Sequence, residues 1–205
     1  MKNVRAYIIA AVVSIIAGSA AAGVSSIGST AAYLSDDESK TNIVSIGEQK
    51  IRITEEFDPP ETPEVGVNTY KKDVKVTNTG DVPCYARVFI EFSDNDVRGV
   101  SSFSADGTTY YPLSEFKNHL PEGWVYIEDA ADALSPYYYY TLPIEKNAST
   151  PSLIKSVKTT FATAEDIEAF DILVYAESVQ TLDKNGVAFT GSSAWRSAWA
   201  EYLAN

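Results

Sequence analysis

Cys84-Tyr85-Ala86-Arg87-Val88-Phe89-Ile90-Glu91-Phe92 is the stretch that decides the fold class. Cys84, Ala86, Val88, Ile90 and Phe92 form an unbroken apolar series, while Tyr85, Arg87, Phe89 and Glu91 between them are mixed. Side chains of a strand point alternately to opposite faces, so this period of two marks a half-buried strand. Val74-Lys75-Val76 and Ile51-Arg52-Ile53 alternate in the same way upstream. Downstream, Phe170, Ile172, Val174 and Ala176 oppose Asp171, Leu173 and Tyr175, and the residues from Trp124 to Ile127 and from Tyr137 to Leu142 add two aromatic strands. Asn78-Thr79-Gly80-Asp81, Ala105-Asp106-Gly107 and Asp183-Lys184-Asn185-Gly186 punctuate these runs with residues that tolerate positive φ. Residues 58–66 carry Pro59, Pro60 and Pro63 and read as an extended surface loop. Strands at short spacing with no long helices between them predict a mainly β chain: an antiparallel β-sandwich, jelly-roll or immunoglobulin-like, with short helices and a C-terminal helical segment.

Two stretches leave the period of two. Residues 164–169, Ala-Glu-Asp-Ile-Glu-Ala, are helix-like and follow Thr163, a suitable N-cap. Near 193–203, Trp195, Ala198, Trp199 and Tyr202 share one helical face. A face with two tryptophans is expected to pack on the sandwich, with a docking face for a partner as the alternative.

Composition narrows the function classes. The 205 residues are 45% hydrophobic and 21% charged, with a net charge of −12, a balance that suits a globular domain and disfavours nucleic-acid binding. One His and one Cys fall short of a zinc ligand set and of an intrachain disulfide. Cys84, on the apolar face, reads as a small core hydrophobe. His119 sits in the loop Phe116 to Pro121, and neither a Gly-x-Ser-x-Gly elbow nor a His-Glu-x-x-His pair accompanies it. The expectation is therefore a non-enzymatic protein with no catalytic residues, cofactor or metal. Asp36, Asp37 and Glu38, and Asp94 with Asp96, cluster without a calcium-loop order and read as solvated turns. In Tyr137-Tyr138-Tyr139-Tyr140, strand alternation sends two rings inward and two outward. The outward rings are the candidate ligand-binding surface, for which polysaccharide is the fitting partner, against a plain packing role.

At the N-terminus Lys2 and Arg5 precede the uncharged run Ala6 to Ala22, whose dense core, Tyr7 to Ala17, spans 11 residues. A membrane-spanning helix takes about 20 apolar residues, so the layout favours a secretory signal peptide, with a retained N-terminal anchor as the alternative. Ala20-Ala21-Ala22 and Thr30-Ala31-Ala32 both offer small-x-small cleavage sites.

The segment Gly28-Ser29-Thr30-Ala31-Ala32-Tyr33-Leu34-Ser35-Asp36 resembles the processing region of Gram-positive proteins exported with the peptidase SipW, the TasA/camelysin-like family. The resemblance continues through Asn42-Ile43-Val44-Ser45-Ile46-Gly47, the turn Asn78-Thr79-Gly80-Asp81-Val82-Pro83, Gly123-Trp124 with the tyrosine run, and Ala176-Glu177-Ser178-Val179-Gln180 with Ala194-Trp195. It implies a signal peptide over 1–32 cut between Ala32 and Tyr33, a single sandwich domain over 33–205, and a secreted product of the cell surface or biofilm matrix. Its implied partners are the signal peptidase during export and then further copies or other matrix components. Camelysin relatives have been classed as metallopeptidases, an activity for which this chain shows no ligand set. Cleavage after Ala32 would free Tyr33 to Ile46, in which Tyr33, Leu34, Ile43 and Ile46 are the candidate residues for strand donation to a neighbouring sandwich. The leading expectation is an exported, non-enzymatic surface or matrix protein, for which fibre formation by that route is one available mechanism; a surface binding module for carbohydrate or another ligand is the alternative, and a camelysin-like secreted metallopeptidase comes third.

Overall fold

Two antiparallel sheets form the computed structural model, which describes residues 50–58, 63–167 and 170–204. Among the described residues nine strands follow one another: β1 (Ile51–Asp58), β2 (Gly66–Asn78), β3 (Cys84–Phe92), β4 (Ser101–Ser104), β5 (Tyr111–Pro112), β6 (Trp124–Ile127), β7 (Tyr137–Ile144), β8 (Ile154–Phe161) and β9 (Ile172–Gln180). One sheet has the order β1-β2-β8-β4-β5 and the other β6-β7-β3-β9. The α-helices among the described residues are α1 (Asn95–Gly99), α2 (Leu113–Phe116) and α3 (Ala194–Ala204). The fold is thus a mainly β sandwich with short helices and a C-terminal helix, as the alternation predicts. The helix-like stretch after Thr163 is shorter than expected, a single 3-10 turn over Ala164–Asp166. No helix among the described residues is long and apolar enough to cross a membrane.

The apolar series of β3 faces the core between the sheets. Cys84, Ala86 and Val88 are fully buried there with Val74 and Val76 of β2, Ile154 and Val157 of β8, and Ile172 and Ala176 of β9. Phe92 stacks on Phe103 of the opposite sheet at 5.8 Å between ring centroids. Lys72 of β2 is also buried; it pairs with Glu55 of β1 and donates from Nζ to the Ile172 carbonyl at 3.2 Å. One cation thereby ties the edge of one sheet to β9 of the other.

Turn chemistry sets where strands end. Asn78 is buried; its Nδ2 donates to the Val82 and Ile144 carbonyls, both at 2.8 Å, and its Oδ1 accepts from the Gly80 amide at 2.9 Å. The polar residue at the end of β2 thus closes the β2–β3 turn. Asp106 organises the β4–β5 turn, accepting from the Thr108 and Thr109 amides, both at 2.7 Å, and from Ser104 Oγ at 2.9 Å. The Thr109 and Thr108 amides hold its carboxyl well below the usual carboxylate range. A depressed folded-state pKa stabilises above the unfolded value and is lost as pH falls through the folded one. Asp106→Ala should therefore lower the melting temperature at neutral pH, and its deficit should shrink in strong acid. Circular dichroism melts at the two pH values check this, and a deficit independent of pH would remove the carboxylate from the account.

Candidate functional site

The tyrosine run lies on β7, between β6 and β3. Alternation does split it. Tyr138 and Tyr140 turn to the core between the sheets, while Tyr137 and Tyr139 take the opposite face. That opposite face is not open to solvent, because α3 lies across it. Trp195, Ala198 and Trp199 are buried there against Tyr85, Leu134, Tyr139 and Val179, with Tyr202 half-buried beside them. The helix packs on the sheet as the shared face of Trp195, Ala198, Trp199 and Tyr202 predicts. The expectation that the outward pair is open to a ligand is corrected by the same contact: Tyr139 is 0% exposed beneath α3. Tyr137 and Tyr140 are half-buried, and each is engaged by neighbours. Tyr140 packs on Trp124 at 5.4 Å and over Gly123, whose φ of +84° and missing Cβ leave room for the ring; a Cβ there would sit 2.5 Å from the Tyr140 Cε2.

Arg87 is the centre of the covered face. It is 5% exposed, yet its Nε donates to Glu177 Oε2 at 2.6 Å and its Nη1 to the Tyr139 hydroxyl at 3.3 Å. Its guanidinium lies 4.0 Å from the centroid of the Tyr137 ring and 4.3 Å from that of Trp199, so two π faces clasp one cation. Burial alone would pull the Arg87 pKa down, but Glu177 and the Tyr139 hydroxyl outweigh it and the net direction is up. The Tyr139 hydroxyl in turn donates to the Leu134 carbonyl at 2.6 Å. Outside the clasp, Arg196 of α3 pairs with Asp132. This chemistry is that of a fastener: charge, rings and hydrogen bonds are directed at one another and hold the helix to the sheet.

The other candidates are placed as follows. Cys84 is buried in the core. His119 is exposed and stacks on Tyr111 at 3.5 Å. Asp94 caps α1, its Oδ1 accepting from the Val97 amide at 2.8 Å. Among the described residues no three His, Cys, Asp or Glu side chains gather into a metal-binding group. Asp36, Asp37 and Glu38, the cleavage pair Ala32 and Tyr33, and the strand-donation residues Tyr33, Leu34, Ile43 and Ile46 lie outside the described residues. Among the described residues β1 pairs with β2 alone and β9 with β3 alone, so each sheet ends in a strand with a row of backbone groups facing outward. Comparison with family models, curated proteins and solved structures finds no match to the chain.

Proposed function

We propose that this chain is an exported, non-enzymatic β-sandwich protein of the bacterial surface or extracellular matrix, similar to the TasA/camelysin-like group, which assembles by donating an N-terminal strand once its signal peptide is removed. The observation that carries the reading is the position of β1. Among the described residues it is the outer strand of the five-stranded sheet, and it begins at Ile51, shortly after the candidate donor segment, residues 33–46. A donor strand arriving at an exposed edge gains main-chain hydrogen bonds along its whole length, and alternate side chains supply the specificity. Lys2 and Arg5 and the apolar stretch behind them support delivery through a secretory route.

The test is intact mass and N-terminal sequencing of protein recovered from the culture, with electron microscopy of the same sample. The expected result is a chain beginning at Tyr33 that forms filaments, and deletion of residues 33–41 from the secreted form should abolish them. Filaments unchanged by that deletion would overturn strand donation. Residues 1–32 still attached would make this a membrane-anchored surface protein.

A further inference from the structure

On the side of the sandwich where β4, β5 and α2 meet β3, β6 and β7, an open groove of about 700 Å³ remains. Sites for small ligands commonly enclose about 300–1,000 Å³ and combine ring surfaces with a few polar groups. Phe103 and Leu113 line one wall of this groove, Tyr126 and Tyr138 the other. The Tyr138 hydroxyl differs from those of Tyr70, Tyr110 and Tyr139, each of which has a hydrogen-bond partner. Among the described residues it has none, although Tyr138 is only 9% exposed. Nor is it fully enclosed, as the orphaned Trp199 Nε1 and Ser178 Oγ are. It is a buried side chain whose polar tip reaches the groove.

The charges around it narrow the ligand. Arg98, Lys117, Glu91 and Glu128 all belong to the lining, and Lys117 pairs with Glu128. In a chain of net charge −12 this lining is balanced. A cation site would gather carboxylates and an anion site would carry surplus positive charge. A balanced set of donors and acceptors around tyrosine rings suits a neutral compound rich in hydroxyls. Burial pushes the Tyr138 phenol well up, which keeps its O–H intact at neutral pH.

We propose that this groove binds a short stretch of neutral polysaccharide, with the Tyr138 hydroxyl and Arg98 hydrogen-bonding to sugar hydroxyls and Tyr126 offering its ring to a sugar face. The site differs from the tyrosine platform read from the sequence, since only Tyr138 of that run takes part and it acts through its hydroxyl. It also stands independently of strand donation. The experiment is calorimetric titration of the full chain with maltohexaose, cellohexaose and chitohexaose, with hexagalacturonate as the charged control. At least one neutral probe should bind saturably. Tyr138→Phe should weaken that binding about fivefold, as expected for one lost hydrogen bond, with an unchanged melting temperature showing that the fold is intact. Arg98→Ala, at an exposed position, should act in the same direction. No saturable binding to any neutral probe, tighter binding of hexagalacturonate, or affinities unmoved in both variants would overturn the proposal. Release of reducing ends from a bound probe would support the groove as a sugar site while overturning the non-enzymatic reading, and filament formation reports on assembly separately.

Discussion

Replacing Trp199 by alanine should lower the free energy of unfolding by about 3–5 kcal/mol, the range for removing a large aromatic from a packed interior. Trp199 is 0% exposed, packs edge-on against Tyr139 at 5.6 Å and Tyr202 at 5.7 Å, and supplies one of the two π faces over Arg87. An alanine leaves a cavity beneath α3 and exposes the Arg87 guanidinium to a space that water fills poorly. Domains of this size are stable by about 5–15 kcal/mol, so the change takes a large share of the total. Urea denaturation followed by far-ultraviolet circular dichroism measures it. A loss below about 0.5 kcal/mol, the scale of an ordinary surface change, would mean that α3 is an appendage and not a structural layer.

Glu177→Ala should cost on the order of 2 kcal/mol. Removing one partner of a fully buried ion pair costs about 3–5 kcal/mol because the other charge is stranded in low dielectric. The Glu177 side chain is 29% exposed, so water relieves part of that penalty. Arg87, at 5% exposure, keeps only the Tyr139 hydroxyl and two ring faces. Removing both charges is a different matter: Arg87→Met with Glu177→Leu should recover most of the loss, since no uncompensated charge is left under the helix. The double-mutant cycle measures the coupling directly. Additive single and double changes would show that the pair contributes through packing alone.

These two residues also mark where the sequence stops being readable. The core face of β3 is plain in the alternation of Cys84, Ala86, Val88 and Phe92, because burial against the opposite sheet demands an apolar series. Its other face, Tyr85, Arg87, Phe89 and Glu91, reads as part-exposed, yet Tyr85 and Arg87 are buried. What covers them is α3, far along the chain, and no local pattern encodes a contact made by a third layer. The tyrosines of β7 are misread for the same reason, since strand alternation tells which side a ring takes but not what lies on that side. β8 escapes notice because Lys155, Lys158 and the threonines dilute its alternation, although Ile154, Val157 and Phe161 are buried core residues. β4, Ser-Ser-Phe-Ser, offers a single apolar residue. The groove is legible only in three dimensions, because Arg98, Tyr126 and Tyr138 come from three elements and nothing in their spacing brings them together.

The register of β3 has a consequence for how the molecule is made. Its partners are β7 and β9, with Val88 opposite Ala176, and the helix that covers all three comes later still in the chain. A polypeptide emerging N-terminus first can close the β1–β2 hairpin early, but the central ladder of the second sheet has no partner strands until β7 and β9 are synthesised. Pairings between distant segments set folding times of roughly milliseconds to seconds. A nascent chain interrupted before Ala194 would therefore present the bare rings of β7, beside Tyr85 and Arg87, to any chaperone or neighbouring chain. Until α3 is made, quality control acting on truncated products would meet them at that uncovered aromatic face.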